Sequence, residues 1–251
     1  MSEHQSRRGH YGRSGLWKLI AAALAVATVV AAAPATDMRR FIGGASKTDS
    51  ILLQDKGKFR ISVNGAPLGT EDFEIHPSGD QWIAQGNADV KPPGGEQTRV
   101  VSHLTLRSDG TPVSYDWSTQ GTKKASAEIQ FQNSVATITL RLENARPFTQ
   151  KFTFTSPMVA ILDNNLYHQY AILSRLYDRE KKGVQTFSVL IPQEMTPGSV
   201  TVESISPSGG GNYAEELRVQ TADLEVDLFL DAKGRLMKLT APASNAEVVR
   251  E

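Results

Sequence analysis

The sequence predicts a mainly β protein: a single curved antiparallel sheet, a spiral β-roll or half-barrel, wrapping one long α-helix and preceded by an N-terminal hydrophobic helix. Three observations lead there. From Lys58 onward, short runs of alternating apolar and polar residues are separated by turn signals, the period-2 pattern of half-buried strands. Within Ile161–Glu180 the period changes, and Leu166, Tyr170, Leu173 and Tyr177 fall at i, i+4, i+7 and i+11, one face of a helix. Far upstream, Leu16–Ala33 is nearly all apolar behind a basic start.

The apolar run is the first element. Met1–Gly15 is polar and carries Arg7, Arg8 and Arg13, so residues 1–35 have the layout of a secretory signal: basic region, apolar region, small-residue exit. Ala31-x-Ala33 and Ala33-Pro34-Ala35 both offer cleavage sites. A run of about 18 residues also reaches the roughly 17–25 needed to span a bilayer, so an uncleaved membrane anchor is the alternative. Ser6-Arg7-Arg8 matches a twin-arginine signal only at its arginines. Each reading places the main domain outside the cytoplasm, periplasmic or tethered to the membrane. Residues 36–56, polar and containing Gly43-Gly44, read as a linker, and 57–251 as one domain.

Strands follow in order. Phe59, Ile61 and Val63 alternate with Lys58, Arg60 and Ser62, and Asn64-Gly65 then supplies a hairpin turn. The return strand holds Leu68, Phe73 and Ile75; Pro77–Asp80 turns it into Trp82–Val90. After the Pro92–Gly95 loop come Val100, Leu104 and Leu106, then Asp109-Gly110, then strands near 113–119, 125–132, 135–142 and 148–155. Beyond the helix lie Thr186–Ile191, Val200–Ile205, the glycine-rich loop Ser206–Asn212, Glu216–Gln220, Leu224–Leu230 and Arg235–Thr240, stopped by Pro242. This makes about twelve or thirteen strands, spaced as in an antiparallel meander. No internal repeat interrupts the series.

The helix is placed at 162–181. Asp163 or Asn164 can accept the orphan N–H groups of its first turn, and Gly183 with Lys181 and Lys182 suits its end. His168, Gln169, Arg175 and Asp178 fall on its polar side.

Two hairpins carry a resemblance. Asn64-Gly65-x-x-x-Gly69-x-Glu71-x-Phe73-x-Ile75 resembles the opening hairpin of uncharacterised bacterial cell-envelope proteins, and Asp231-x-x-Gly234-Arg235-Leu236-x-x-Leu239-x-x-Pro242 resembles their closing hairpin. Those families are similar to the spiral β-roll class, which includes a glycolipid-binding family, and share a general shape with lipoprotein carriers. The resemblance covers about residues 55–245. It implies a fold and supplies no catalytic residues.

Composition removes several chemistries. Formal net charge is +0, which gives no electrostatic footprint for nucleic acid. The absence of cysteine excludes disulfides, thiolate metal sites, a cysteine nucleophile and a lipidated cysteine. His76, His103 and His168 sit on three separate elements, without metal-ligand spacing. Ser174 and His168, six apart, fall on different helix faces. Ser208–Gly211 is glycine-rich but opens no helix after a strand, and it reads as a loop. Glu225 and Asp227 share one strand face and could hold a cation or simply face solvent. Arg175 and Asp178, i and i+3, suit a surface ion pair, and Asp163-Asn164-Asn165 suits a cap or a polar rim. No catalytic residue, cofactor or metal is expected.

The large aromatics point to binding. Trp82, Tyr115, Trp117, Tyr167, Tyr170 and Phe229 could line a cavity for an acyl chain or glycolipid between sheet and helix, or could fill the core. The expectation is a non-enzymatic exported protein binding an apolar or amphipathic ligand, a lipid or glycolipid. The alternatives are an envelope interaction module with a filled core and exposed edge strands, and a hydrolase of unrecognised type. Membrane contact runs through the N-terminal segment if it is uncleaved.

Overall fold

A computed structural model describes residues 50–121, 124–206 and 212–251. The stretches expected to be a leader and most of a linker, and the Ser208–Gly211 loop, lie outside the described residues. Fifteen strands form one sheet: β1 (Asp55–Val63), β2 (Ala66–Ser78), β3 (Gln81–Val90), β4 (Thr98–Arg107), β5 (Pro112–Gln120), β6 (Ala125–Gln132), β7 (Val135–Leu142) and β8 (Phe148–Thr153) come first. Then β9 (Val159–Ile161) leads into the helix α1 (His168–Leu176). The remaining strands are β10 (Gln185–Ile191), β11 (Thr196–Ile205), β12 (Glu215–Gln220), β13 (Glu225–Leu230), β14 (Leu236–Ala241) and β15 (Ala246–Arg250).

The strand order is a meander folded about a seam. It runs β8 back to β1, then β15 back to β9, so the first and last strands are neighbours. Phe59 pairs with Arg250, Ile61 with Val248 and Val63 with Ala246. Every pair is antiparallel except β9 with β10. The β1–β2 turn uses Asn64 and Gly65 at φ 52° and 73°, as a two-residue type I′ turn requires. At the seam Asp55 meets Arg250 in a bidentate pair of 2.7 and 2.9 Å, both side chains nearly without solvent contact. Arg250 also donates to the Lys56 carbonyl and lies 5.3 Å from the Phe73 ring centroid.

Alternation puts one face of each strand inward. Phe59, Ile61, Ile129, Ile138, Leu217 and Leu228 are fully buried in one core cluster. α1 covers this face with Ala171, Ile172 and Leu173 buried against it, and Leu166 and Tyr177 are buried at its flanks.

Three expectations need correction. The helix spans nine residues, not 162–181. Leu162, just past β9, still donates its N–H to the Leu190 carbonyl of β10, and Asn165 adopts φ 65°, which no helix accepts. At the other end Tyr177 is extended (ψ 118°), and its hydroxyl donates to the Gly183 carbonyl. Second, His168 and Gln169 are buried, because α1 is enclosed on the side assigned to solvent. Third, β9 and β15 were not foreseen. β9 is a three-residue buried segment with no alternation, and β15 follows the Pro242–Ser244 turn that looked like an ending.

Candidate functional site

The start of α1 is fastened to the sheet by charge. Its N-terminus carries no side-chain cap of its own. Glu71 on β2 takes that role: its Oε2 accepts the backbone N–H groups of Tyr167 (2.7 Å) and His168 (3.2 Å). Such a carboxylate satisfies orphan donors and meets the positive end of the helix dipole. Glu71 Oε1 lies 2.5 Å from His168 Nδ1, and both side chains are 0% exposed. The imidazole stacks on Phe73, with centroids 6.1 Å apart, and Phe73 stacks on Phe59. Gly86 on β3 makes room: a Cβ there would collide with the His168 ring and come 2.9 Å from Glu71 Oε1.

A second buried network precedes the helix. Asp163 Oδ1 accepts the N–H of Gln193 (2.9 Å), and Tyr115 donates its hydroxyl to Asp163 Oδ2 (2.9 Å). Gln169 donates to the Tyr115 oxygen (3.1 Å) and accepts the Asp163 N–H (2.5 Å). Burial pushes the Asp163 carboxyl up to about 7, against the hydrogen bonds that favour its ionised form. Burial, then the facing Asp163 charge, holds the Tyr115 phenol well above its ordinary value. Burial alone raises Tyr170 to about 12.

The two networks position the helix. A carboxylate-held imidazole is the second half of a nucleophile–base pair. Ser174, however, donates to the Ala171 carbonyl (2.8 Å) one turn back along its own helix. Among the described residues no group of three metal-ligating side chains converges. Glu225 and Asp227 are taken up by Arg218, which reaches Asp227 at 2.8 Å and Glu225 at 3.4 Å. The anticipated Arg175–Asp178 pair is absent, since Arg175 donates to the Lys233 carbonyl (2.9 Å) and Asp178 pairs with Lys181. Asn164 bridges to Glu194 (3.0 Å), so the Asp163–Asn165 stretch ties loops together.

The six aromatics divide. Tyr115, Trp117 and Tyr167 are buried in the main core, with Trp82 and Tyr170 packed against it. Phe229 faces the opposite side of its strand from Leu228 and Leu230, capped by Tyr213 (5.1 Å) and Lys238. The space beside α1 lined by Leu52, Ile75, Ala171, Ile172 and Arg175 measures about 10 Å³, room for about one water. An acyl chain needs roughly 300 Å³ or more.

Two surface features escaped the sequence reading. The inward apolar row through Trp117, Ala127 and Leu140 continues to Phe148 at the sheet edge, where Phe148 is 55% exposed and neighbouring Leu142 49%. The signal was there, since both residues fit the inward alternation of β7 and β8, but only the strand order shows that no further described strand follows. The other feature is the cationic end of α1, around Arg175.

No protein-family model matches the chain, and no curated protein matches it in sequence. Solved structures do. The beta-barrel-like protein of domain of unknown function DUF1849 from Brucella abortus matches with a TM-score of 0.52 and 9% identity, over 80% of this chain and 96% of that one. A DUF1089 family protein from Pseudomonas aeruginosa matches with a TM-score of 0.43 and 9% identity, over 79% and 95%. The first likeness is one of fold: a large, mainly antiparallel sheet with one short helix.

Proposed function

We propose that this chain is a non-enzymatic interaction module of the cell envelope, which takes up an extended segment of a partner protein as an added strand beside β8. The observation that carries it is the open edge of the sheet. Among the described residues β8 pairs only with β7. The Phe154 N–H points inward to the Ser134 carbonyl, so by alternation the N–H groups of Thr149, Lys151 and Thr153 point away from β7. Exposed Phe148 and Leu142 offer an unfinished apolar row to alternate side chains of an incoming strand. Lys151 forms no ion pair among the described residues and suits an acidic residue on that strand. An exported location rests on residues 1–35. We further infer that the sheet curls around α1 as a spiral roll, since β2, β3 and β5 all supply residues to the helix anchor. A carrier of lipid or glycolipid inside the concave face would require α1 to leave its buried partners.

The test uses a soluble synthetic peptide alternating valine and threonine around one glutamate, with hydrogen exchange followed by NMR. Protection of the Thr149, Lys151 and Thr153 amides supports the proposal, as does its loss in Lys151→Pro. Proline is tolerated where an edge N–H faces solvent, so that variant keeps the fold. Unchanged exchange at millimolar peptide would overturn it. So would a doubling of mass in solution that Lys151→Pro abolishes, because the edge would then serve a second copy.

A further inference from the structure

We propose that the interior holds a binding site for an ordered water molecule, between the start of α1 and strands β3 to β5, where the water joins His168 to Ser102 and Trp117. The site does not rest on the reading of the β8 edge.

Buried polar atoms without partners mark it. Among the described residues, Ser102 Oγ, Trp117 Nε1, Tyr167 Oη and His168 Nε2 have no hydrogen-bond partner, and none of these side chains is more than 5% exposed. Such atoms are nearly always paired, with protein or with ordered water. A further one, His76 Nδ1, lies on the opposite face of the sheet, since Ile75 beside it points inward.

Strand register brings three of the four together. Gly86 stands opposite Ser102, and Ser102 opposite Trp117, all on the buried face. The His168 ring rests over Gly86, where a Cβ would collide with Cε1, the carbon bonded to Nε2. Nε2 therefore sits above the strand next to Ser102. Tyr167 adjoins His168 in the chain, and burial, then Tyr170 and Glu71, keep its phenol protonated. Ser102 comes close enough to the Tyr115 phenol to favour its ionised form without bonding to it, and that oxygen is already engaged by Asp163 and Gln169. Small side chains supply the space: through its middle β3 turns only Ala84, Gly86 and Ala88 inward, and β4 turns Ser102 inward between Val100 and Leu104.

The donor set selects water. Glu71 Oε2 already accepts two backbone N–H groups, as a carboxylate does, so Nδ1 of His168 carries the proton on its contact with Oε1. That leaves Nε2 as an acceptor, opposite the Trp117 indole, which only donates, and the Ser102 hydroxyl, which does both. A metal cation would face the indole N–H, and an anion would face the Nε2 lone pair. Water accepts from one and donates to the other, with about three bonds in all. The imidazole is then gripped at both nitrogens, by Glu71 on β2 and through water by β4 and β5.

The test uses NMR on the full-length chain in neutral detergent. One reading is a cross-peak between the Trp117 indole N–H and water, of the sign given by a long-lived water; the other is oxygen-17 relaxation dispersion, to which hydroxyl protons do not contribute. Both are expected in wild type. Ser102→Ala keeps the space and should keep the cross-peak; loss there would assign it to relay through the Ser102 hydroxyl and overturn the site. Ser102→Val fills the space with methyl groups. The cross-peak should vanish, the dispersion should fall, and the thermal midpoint should lie several degrees below that of Ser102→Ala, because Trp117 and His168 lose their partner. A dry interior predicts the opposite order of midpoints, since valine would pack better than alanine. If Ser102→Val fails to fold, the wild-type and Ser102→Ala spectra decide: a cross-peak in both supports the site. No cross-peak in wild type, or both readings unchanged in Ser102→Val, overturns it. So does a cross-peak removed by chloride at constant ionic strength, because an anion would then occupy the site. Lys151→Pro should leave every reading unchanged.

Discussion

Glu71 and His168 stand 97 positions apart, yet one carboxylate closes the first turn of the helix and holds its first side chain, with neither residue touching solvent. The contact joins β2 to α1 and fixes where the helix sits on the sheet. Its removal tests how much of the core depends on it.

Glu71→Ala leaves a buried imidazole and two helix N–H groups without partners. A loss of about 3–5 kcal/mol is expected, the range for removing one member of a buried pair. Urea unfolding with two probes measures it. Glu71→Gln, which keeps an acceptor for the helix N–H groups, should cost clearly less.

Gly86→Ala should destabilise by about 1–3 kcal/mol, because its Cβ enters the space of the His168 ring and Glu71 must move. Gly79→Ala is the control. Its φ is +65° with nothing within 4 Å, so only backbone strain of about 1 kcal/mol opposes it. Faster amide exchange at Tyr167 and His168 in the first variant, and not in the second, separates the two causes.

The pH dependence has a defined sign. Burial raises Asp163 from 3.8 in the unfolded chain to about 7 in the folded one, so the folded state binds the proton more tightly. Its contribution is full below about pH 4, is lost as pH rises through about 7, and is flat beyond. The span is of order a few kcal/mol. Asp163→Asn, which mimics the neutral carboxyl, should flatten unfolding free energy across that window. A slope unchanged in the variant would assign the dependence to other groups.

Arg250→Ala should cost about 3–5 kcal/mol by leaving Asp55 buried and unpaired. Removing residues 246–251 should do more, since it exposes both β1 and β14 as edges. Light scattering on the truncated chain, compared with Arg250→Ala, should show association only in the former.

Alternation made most strands legible because they have one wet face, as in Phe59–Val63; in Leu224–Leu230 it survives in the residue types although both faces from Val226 to Leu230 are buried. It failed where that contrast vanishes. Val159–Ile161 is buried throughout, so it has no polar partner to alternate with. Of the stripe Leu166, Tyr170, Leu173 and Tyr177, three are buried and Tyr170 is half-buried, but only Tyr170 and Leu173 lie in the helix, and His168 and Gln169 were assigned outward by type. Nothing local reveals that Glu71 and Tyr115 wait for them on distant strands. Arg175 was misread for the same reason: Asp178 is its neighbour in sequence, while Lys233 and Gly234 are its neighbours in space. The six aromatics were visible; their division between core and outer face depends on strand order.

The seam between β1 and β15 has a mechanical meaning. The two strands are antiparallel, so the start of β1 and the end of β15 leave the sheet side by side. Tension applied to those two ends loads the ladder one pair at a time, as in unzipping, and does not shear all its hydrogen bonds together. The first fastening to feel that load is the Asp55–Arg250 pair. Pulled from those two ends, the protein would lose this ion pair before the β1–β15 ladder that joins the two halves of the sheet.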